Sequence, residues 1–169
     1  MLPLSPYAGR ALCVTGNEWD RCAAIQELLA PAEVAHLFRR ATPAMVRRGW
    51  TSVNAVAQIT RNLAYIPDPP TCDLWGSPAY TLGRRRQGGD CDDIAILGQS
   101  ALMLDPGTRS WVMTGLVQTL RGWAGHAWVE GCDREGWFLL EHGHVQRGAR
   151  PGSYFADLAL SADGCARAA

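Results

Sequence analysis

The sequence predicts an α+β fold, and three observations carry that reading. Apolar residues recur at helical spacing through most of the N-terminal half. A buried helix follows the turn Gly88-Gly89-Asp90-Cys91-Asp92-Asp93 at mid-chain. Short apolar runs separated by turn residues come after it, as antiparallel strands do.

Taken in order, residues 1–16 read as irregular. Asn17 to Ala30 is a helix, with Ala24, Ile25, Leu28 and Leu29 on one side. Pro31 ends it and opens a second helix, in which Val34, Ala35, Leu37 and Phe38 are apolar. Arg39, Arg40, Arg47 and Arg48 cluster around Thr42-Pro43 as a solvated helix end, or as a docking patch for an acidic partner. Ser52 caps a third helix, whose buried stripe is Val53, Val56, Ala57, Thr60 and Leu63 or Ala64. Pro67 to Gly83 is punctuated by Pro and Gly and reads as an ordered surface loop. Trp75 and Tyr80 are its aromatic contributions, either to a cleft wall or to the cover of the core. Arg84-Arg85-Arg86 is a solvated run before the glycine turn.

In that turn two glycines allow a sharp bend. Asp90 is a good helix N-cap, and carboxylates suit the first turn of a helix. Ile94, Leu97, Ala101 and Leu104 follow at helical spacing. Cys91 thus stands at the head of a buried helix, where free backbone N–H groups favour a thiolate. Asp105-Pro106-Gly107 is a turn, and Trp111 to Val117 a strand. His126 to Glu130 and Trp137 to Glu141 form a hairpin around Gly131 to Gly136. A loop of Cys132 to Glu135 places His126 directly across from Glu141, so that a carboxylate orients an imidazole. A loop shorter by one residue at its start would set His126 against His142 instead. Cys91 supplies the nucleophile that such a pair activates. Its own N–H serves as an oxyanion donor, joined by the Trp75 indole or an amide of residues 74–78. From Gly148 the chain is rich in Gly, Ala and Ser. Tyr154, Phe155, Leu158 and Leu160 anchor one last element, and residues 162–169 fray.

Gly89-Asp90-Cys91-Asp92-Asp93, His126-Ala127-Trp128-Val129 and Gly136-Trp137-Phe138-Leu139-Leu140-Glu141 together resemble the transglutaminase-like cysteine hydrolase superfamily. Val53 to Tyr65, with Asp68, Asp73, Trp75, Pro78 and Leu82, is similar to the approach segment of its bacterial cysteine peptidase branch. The resemblance spans roughly residues 50–145. It implies a papain-like core in which the cysteine helix packs on an antiparallel sheet, and a triad of Cys91, His126 and Glu141. Glu141 stands where the family usually carries Asp. The implied activity is cleavage or transfer of an amide acyl group through a thioester, on a protein or peptide substrate. No cofactor is required, but some relatives bind calcium beside the cysteine, and Asp90 and Asp92 match those positions.

At 169 residues the chain fits one domain, with a helical extension over 1–50, a catalytic core over 51–147 and a C-terminal segment over 148–169. Sixteen acidic residues balance sixteen basic ones, all arginine, so no strong field for nucleic acid or membrane is expected. Residues 1–10 lack the apolar core of a secretory signal, and no stretch approaches a membrane span. The expected compartment is the cytoplasm, with all six cysteines as free thiols. Two competing readings are an idle binding or structural module, for example in a phage particle, and a zinc site. The zinc ligands would come from Cys91, Cys132, His126, His142 and His144, which lack paired zinc-ligand spacing.

Overall fold

The computed structural model describes residues 9–49, 51–83 and 87–168. The run Arg84 to Arg86 lies outside the described residues.

The elements run β1 (Ala11–Val14), α1 (Glu18–Leu28), α2 (Pro31–Arg48), α3 (Ser52–Thr60), β2 (Ala64–Tyr65), β3 (Asp73–Gly76), α4 (Pro78–Thr81), β4 (Gly88–Gly89) and α5 (Cys91–Leu102). Then come β5 (Arg109–Thr119), β6 (Gly122–Asp133), β7 (Gly136–Glu141), β8 (His144–Arg147), β9 (Tyr154–Ser161) and β10 (Gly164–Arg167). The α+β expectation holds. The last six strands form one antiparallel sheet in the order β10-β9-β5-β6-β7-β8.

Helix α5 is buried almost throughout because apolar groups contact it on every side. Ile94, Ile96, Leu97, Ala101 and Leu102 share one core with Val53 and Val56 of α3. The same core holds Val112, Ala127, Val129, Leu140, Leu158 and Leu160 from alternate positions of four sheet strands. Period-two alternation along β6 sends Ala127 and Val129 into this core. Trp128 goes to a second cluster on the opposite face, with Met113, Leu139 and Ala156.

Several local expectations are corrected. Thr51, not Ser52, caps α3: its hydroxyl accepts from the Asn54 N–H, and Asn54 Oδ1 accepts from the Thr51 N–H at 3.2 Å. This is a reciprocal capping box with Asn in the usual Glu position. The N-terminal stretch is not wholly irregular, because β1 pairs with β3. The 67–83 loop contains β3 and α4. Residues 162–169 do not simply fray, since β10 pairs with β9. Nor are all six cysteines free. Cys13 bonds Cys72 and Cys22 bonds Cys165, with Cα atoms 5.7 and 5.9 Å apart. Both bridges join segments that spacing alone does not relate, 59 and 143 residues apart. Cys91 and Cys132 remain as thiols.

On the second face, Glu130 is a buried carboxylate held by three donors. Trp128 Nε1 donates to Oε1 at 2.7 Å, and Arg150 Nε and a terminal NH2 donate to the two oxygens at 2.7 and 2.9 Å. Removing one partner of a buried pair strands the other charge. Arg150→Ala is therefore expected to cost about 3 kcal/mol in urea unfolding, the low end of the usual range because Arg150 keeps some water contact. A loss below about 0.5 kcal/mol, the scale of ordinary surface substitutions, would show that the carboxylate rehydrates freely.

Candidate active site

Asp90 is the N-cap of α5 and Cys91 its first residue. Asp93 ties this turn to β3, with Oδ1 accepting from the Gly76 N–H at 2.7 Å. Gly89 makes that approach possible, because a Cβ there would collide with the Asp93 side chain. The backbone N–H groups of Asp92 and Ala127 lie near enough to the Cys91 sulfur to favour its thiolate. The second of these joins the helix head to β6, one residue from His126.

His126 Nε2 and Glu141 Oε1 lie 2.6 Å apart. The register that joins them differs from the expected one. The hairpin turn is only Arg134-Glu135, with Asp133 opposite Gly136, and the ladder ends at Val129 opposite Leu140. Every pair is thus shifted by two residues. Glu130 faces Leu139 rather than Trp137, and Trp128 no longer faces Leu139. A shift of two preserves which face each side chain occupies, so His126 and Glu141 still share one. They meet along a diagonal instead of directly across, a span that suits long side chains. The extra methylene of Glu relative to Asp supplies that reach.

Burial pushes the Glu141 carboxyl up, but hydrogen bonds from His126 and Tyr154 outweigh it and hold it below its ordinary value. Glu141 is therefore ionised near neutral pH and can only accept. It follows that His126 Nε2 carries a proton and that the Tyr154 hydroxyl donates to Glu141 Oε2. A ring with a single proton, placed at Nε2, leaves Nδ1 bare. Trp128 stacks on His126 with centroids 6.0 Å apart, and Tyr154 meets Trp128 edge-on at 5.2 Å.

Two cavities adjoin Cys91 and His126. One, of about 140 Å³, is also lined by Glu141, Tyr65, His142 and Ile94. The other, of about 330 Å³, adds Arg21, Asp73, Trp75 and Asp92. Trp75 thus lies in the wall beside Cys91, and its indole nitrogen is buried. The Asp73 carboxylate feels that N–H, but the pair falls short of hydrogen-bond geometry. Tyr80 lines neither cavity, which corrects its expected place in the cleft wall. Its ring lies over Gly76. The 74–78 amides offer less than expected, because those of Leu74, Gly76 and Ser77 already donate to Asp68, Asp93 and Arg10.

Tyr65, which lines both cavities, and Tyr154, which bonds Glu141, were not expected in the site, whereas His142, expected as an alternative partner of His126 or a zinc ligand, lines the smaller cavity. Tyr65 and Tyr154 lie far from the cysteine motif in sequence, and only the fold brings them in. His142 has a positive φ of 36° in the tight turn with Gly143, and its Nε2 lies 3.0 Å from the Leu63 carbonyl oxygen. Among the described residues, the expected zinc ligands Cys91, Cys132, His126, His142 and His144 do not bring ligand atoms together.

Charge around the thiol is unfavourable to a resting thiolate. Burial first, then Asp92 and Asp90, push Cys91 up to about 12. Burial, then Asp90, Asp93 and Asp73, hold the Asp92 carboxyl well above its ordinary value. Ligand atoms of Asp90, Cys91 and Asp92 lie within 4.8 Å of one another, as do those of Asp68, Asp90 and Asp93. Asp92 Oδ1 is buried without a hydrogen-bond partner. Clustered carboxylates with an orphaned oxygen fit a hard divalent cation.

No protein-family model matches the sequence, and no curated protein matches it. Solved structures do. Calcium-bound LapG of Legionella pneumophila superposes with a TM-score of 0.55 at 20% identity, covering 69% of this chain and 67% of that one. EGTA-treated LapG gives 0.55 at 19% identity, with 69% and 66% covered. A third LapG structure gives 0.55 at 18% identity, with 69% and 67% covered.

The fold is transglutaminase-like. That architecture accounts for a helix N-terminus meeting a strand at the cavity mouth.

Tyr154→Phe keeps the ring contacts but removes one of the donors to Glu141. A hydrogen bond to a charged group is worth about 1.5–3 kcal/mol, so the rate of Cys91 acylation by p-nitrophenyl acetate should fall about tenfold. An unchanged rate would mean that the hydroxyl does not help to hold the carboxylate.

Proposed function

We propose that this chain is a cysteine hydrolase that cleaves amide bonds of a polypeptide through a thioester on Cys91. The observation that carries the reading is the His126–Glu141 bond of 2.6 Å at a cavity also lined by Cys91. Cys91 attacks the carbonyl carbon while its thiol proton passes to Nδ1 of His126, and a carbon–sulfur bond forms as the carbonyl π bond opens. Glu141 steadies the resulting imidazolium. The N–H of Cys91, with the Trp75 indole N–H, receives the oxyanion. His126 then returns the proton to the departing amine as the carbon–nitrogen bond breaks. Water hydrolyses the thioester and regenerates the thiol; an amine in its place would give acyl transfer.

Acylation by p-nitrophenyl acetate tests this. Mass spectrometry of proteolytic fragments is expected to find acetyl on Cys91 in the native chain and none on Cys91 in His126→Ala. Acetyl on Cys91 at equal rates in both would remove the base from the mechanism.

Calcium fits the acidic cluster, where Asp90 and Asp92 would hold it beside Asp68 and Asp93. When bound, it supplies positive charge against carboxylates that otherwise disfavour a thiolate. A calcium concentration about a hundred times Kd should add about 2.7 kcal/mol of stability, seen as a rise in Tm that Asp92→Asn abolishes. A Tm insensitive to calcium would rule the ion out as a resident group.

The two disulfides favour an oxidising compartment over the cytoplasm expected from sequence. No described helix is long and apolar enough to cross a membrane.

A further inference from the structure

Strand β6 has an unpaired edge, and that edge runs into the cavity holding Cys91. β5 pairs with β6 from Gly122 to Cys132, whereas β7 pairs with it only from Val129 onward. Among the described residues no strand pairs with Gly122 to Trp128 on the β7 side. The two flanking turns decide which backbone groups point there. A two-residue hairpin turn is closed by a hydrogen-bonded pair, and such pairs then recur at alternate positions. Thr119 opposite Gly122 closes the turn at Leu120-Arg121. Even-numbered residues of β6 therefore direct N–H and C=O toward β5. Asp133 opposite Gly136 closes the turn at Arg134-Glu135, so odd-numbered residues face the β7 side. Both turns give the same assignment. Ala127 has odd parity and is the β6 residue whose N–H favours the Cys91 thiolate. Trp123 and Gly125 share that parity and present their N–H and C=O groups to the open edge.

Gly125 keeps the edge approachable. A Cβ there would meet nothing within 4 Å, and Gly125 lines the larger cavity with Cys91 and His126. Glycine inside a strand often marks a place where another backbone comes close. The adjoining sheet face is apolar and open: Leu116, Trp123 and Phe155 are 41%, 53% and 63% exposed. Leu116 lies opposite both Gly125 and Phe155, and Trp123 follows two residues from Gly125 on the same face. This face continues the one that Val112 turns toward α5, past the end where Cys91 sits.

We propose that the substrate is a polypeptide bound in extended form, added as a strand to the β6 edge at Trp123 to Gly125. Its apolar side chains rest on Leu116, Trp123 and Phe155. This rests on the reading of Cys91 as nucleophile and adds how the substrate is recognised. A strand advances about 3.4 Å per residue, so the pairing lies about two to four residues from the attacked carbonyl. Main-chain hydrogen bonds supply affinity for any extended sequence, and the platform selects bulky apolar residues at alternate positions. A helix or a saccharide presents no matching row of amides to this edge.

The test uses the Cys132→Ser chain with a capped peptide, Leu-Ser-Leu-Cys-Leu-Ser-Leu, joined by mixed disulfide to Cys91. Its arms extend in both directions, so either strand orientation can form. Amide hydrogen exchange at Trp123 and Gly125 is expected to slow about tenfold or more relative to the chain coupled to cysteine alone. N-methylating the flanking peptide residues should remove the protection, and replacing Leu by Ser should weaken it. Unprotected amides, or protection that survives N-methylation, would overturn the proposal. So would amides already protected in the uncoupled chain in a concentration-dependent way, which would assign the edge to a second copy. Acetylation of Cys91 without edge protection would sink this inference alone. Edge protection without acetylation would sink the hydrolase reading and leave a peptide-docking strand.

Discussion

His126→Ala is expected to lower the acylation rate of Cys91 about 10²–10⁴-fold while leaving the urea midpoint nearly unchanged. The size follows from the thiol's surroundings. A group pushed up to about 12 is ionised in only about one molecule in 10⁵ at pH 7, so a resting thiolate cannot carry the reaction. The proton must leave as the carbon–sulfur bond forms, with Nδ1 of His126 as its proposed acceptor. The nearby Asp92 and Ala127 amides act to lower the thiol pKa but do not offset burial and the acidic neighbours. Cys91→Ala should remove acylation at this position altogether, with the fold intact. Acylation of His126→Ala at the native rate would point to a thiol activated by its surroundings alone.

Glu141→Gln is expected to cost about a hundredfold or more in the same assay, with a much smaller change in stability. An amide is near the size of a carboxylate but carries no charge to steady an imidazolium. It also cannot accept from both His126 and Tyr154 with equal strength. Glu141→Asp tests the diagonal geometry separately. The shorter side chain keeps the charge but withdraws the oxygens from a partner that is not directly across the ladder. It should therefore also lose activity, and imidazole orientation should loosen. Faster acylation by Glu141→Asp would show that the extra methylene is a defect, not the means of spanning the diagonal.

Much of this arrangement was legible because local signals and tertiary packing agree. The Gly-Gly-Asp-Cys turn demanded a helix start, and α5 begins at Cys91. The His126 and Glu141 strands alternate cleanly, so their shared face survived a two-residue error in register. Turn length was misread because Cys132 and Asp133 have no strong strand preference. They join β6 because β5 reaches back to Arg109 to pair with Cys132. The disulfides were invisible for a different reason. Bridging Cys22 to Cys165 depends on β10 reaching α1, and nothing in either segment's composition records that. The Gly-, Ala- and Ser-rich C-terminal segment looked weak for the same reason: β9 is ordered by pairing with β5, not by its own propensity. Tyr154 enters the site through that pairing.

The nitrogen resonances of His126 test the central claim most directly. In a ¹⁵N-labelled native chain near neutral pH, the neutral ring should be protonated at Nε2 and bare at Nδ1. The Nδ1 signal should then move when Cys91 is replaced by Ala, if the two side chains that line one cavity act on each other. A ring protonated at Nδ1, or an Nδ1 signal indifferent to the loss of the thiol, would contradict a cysteine, histidine and glutamate acting as one unit.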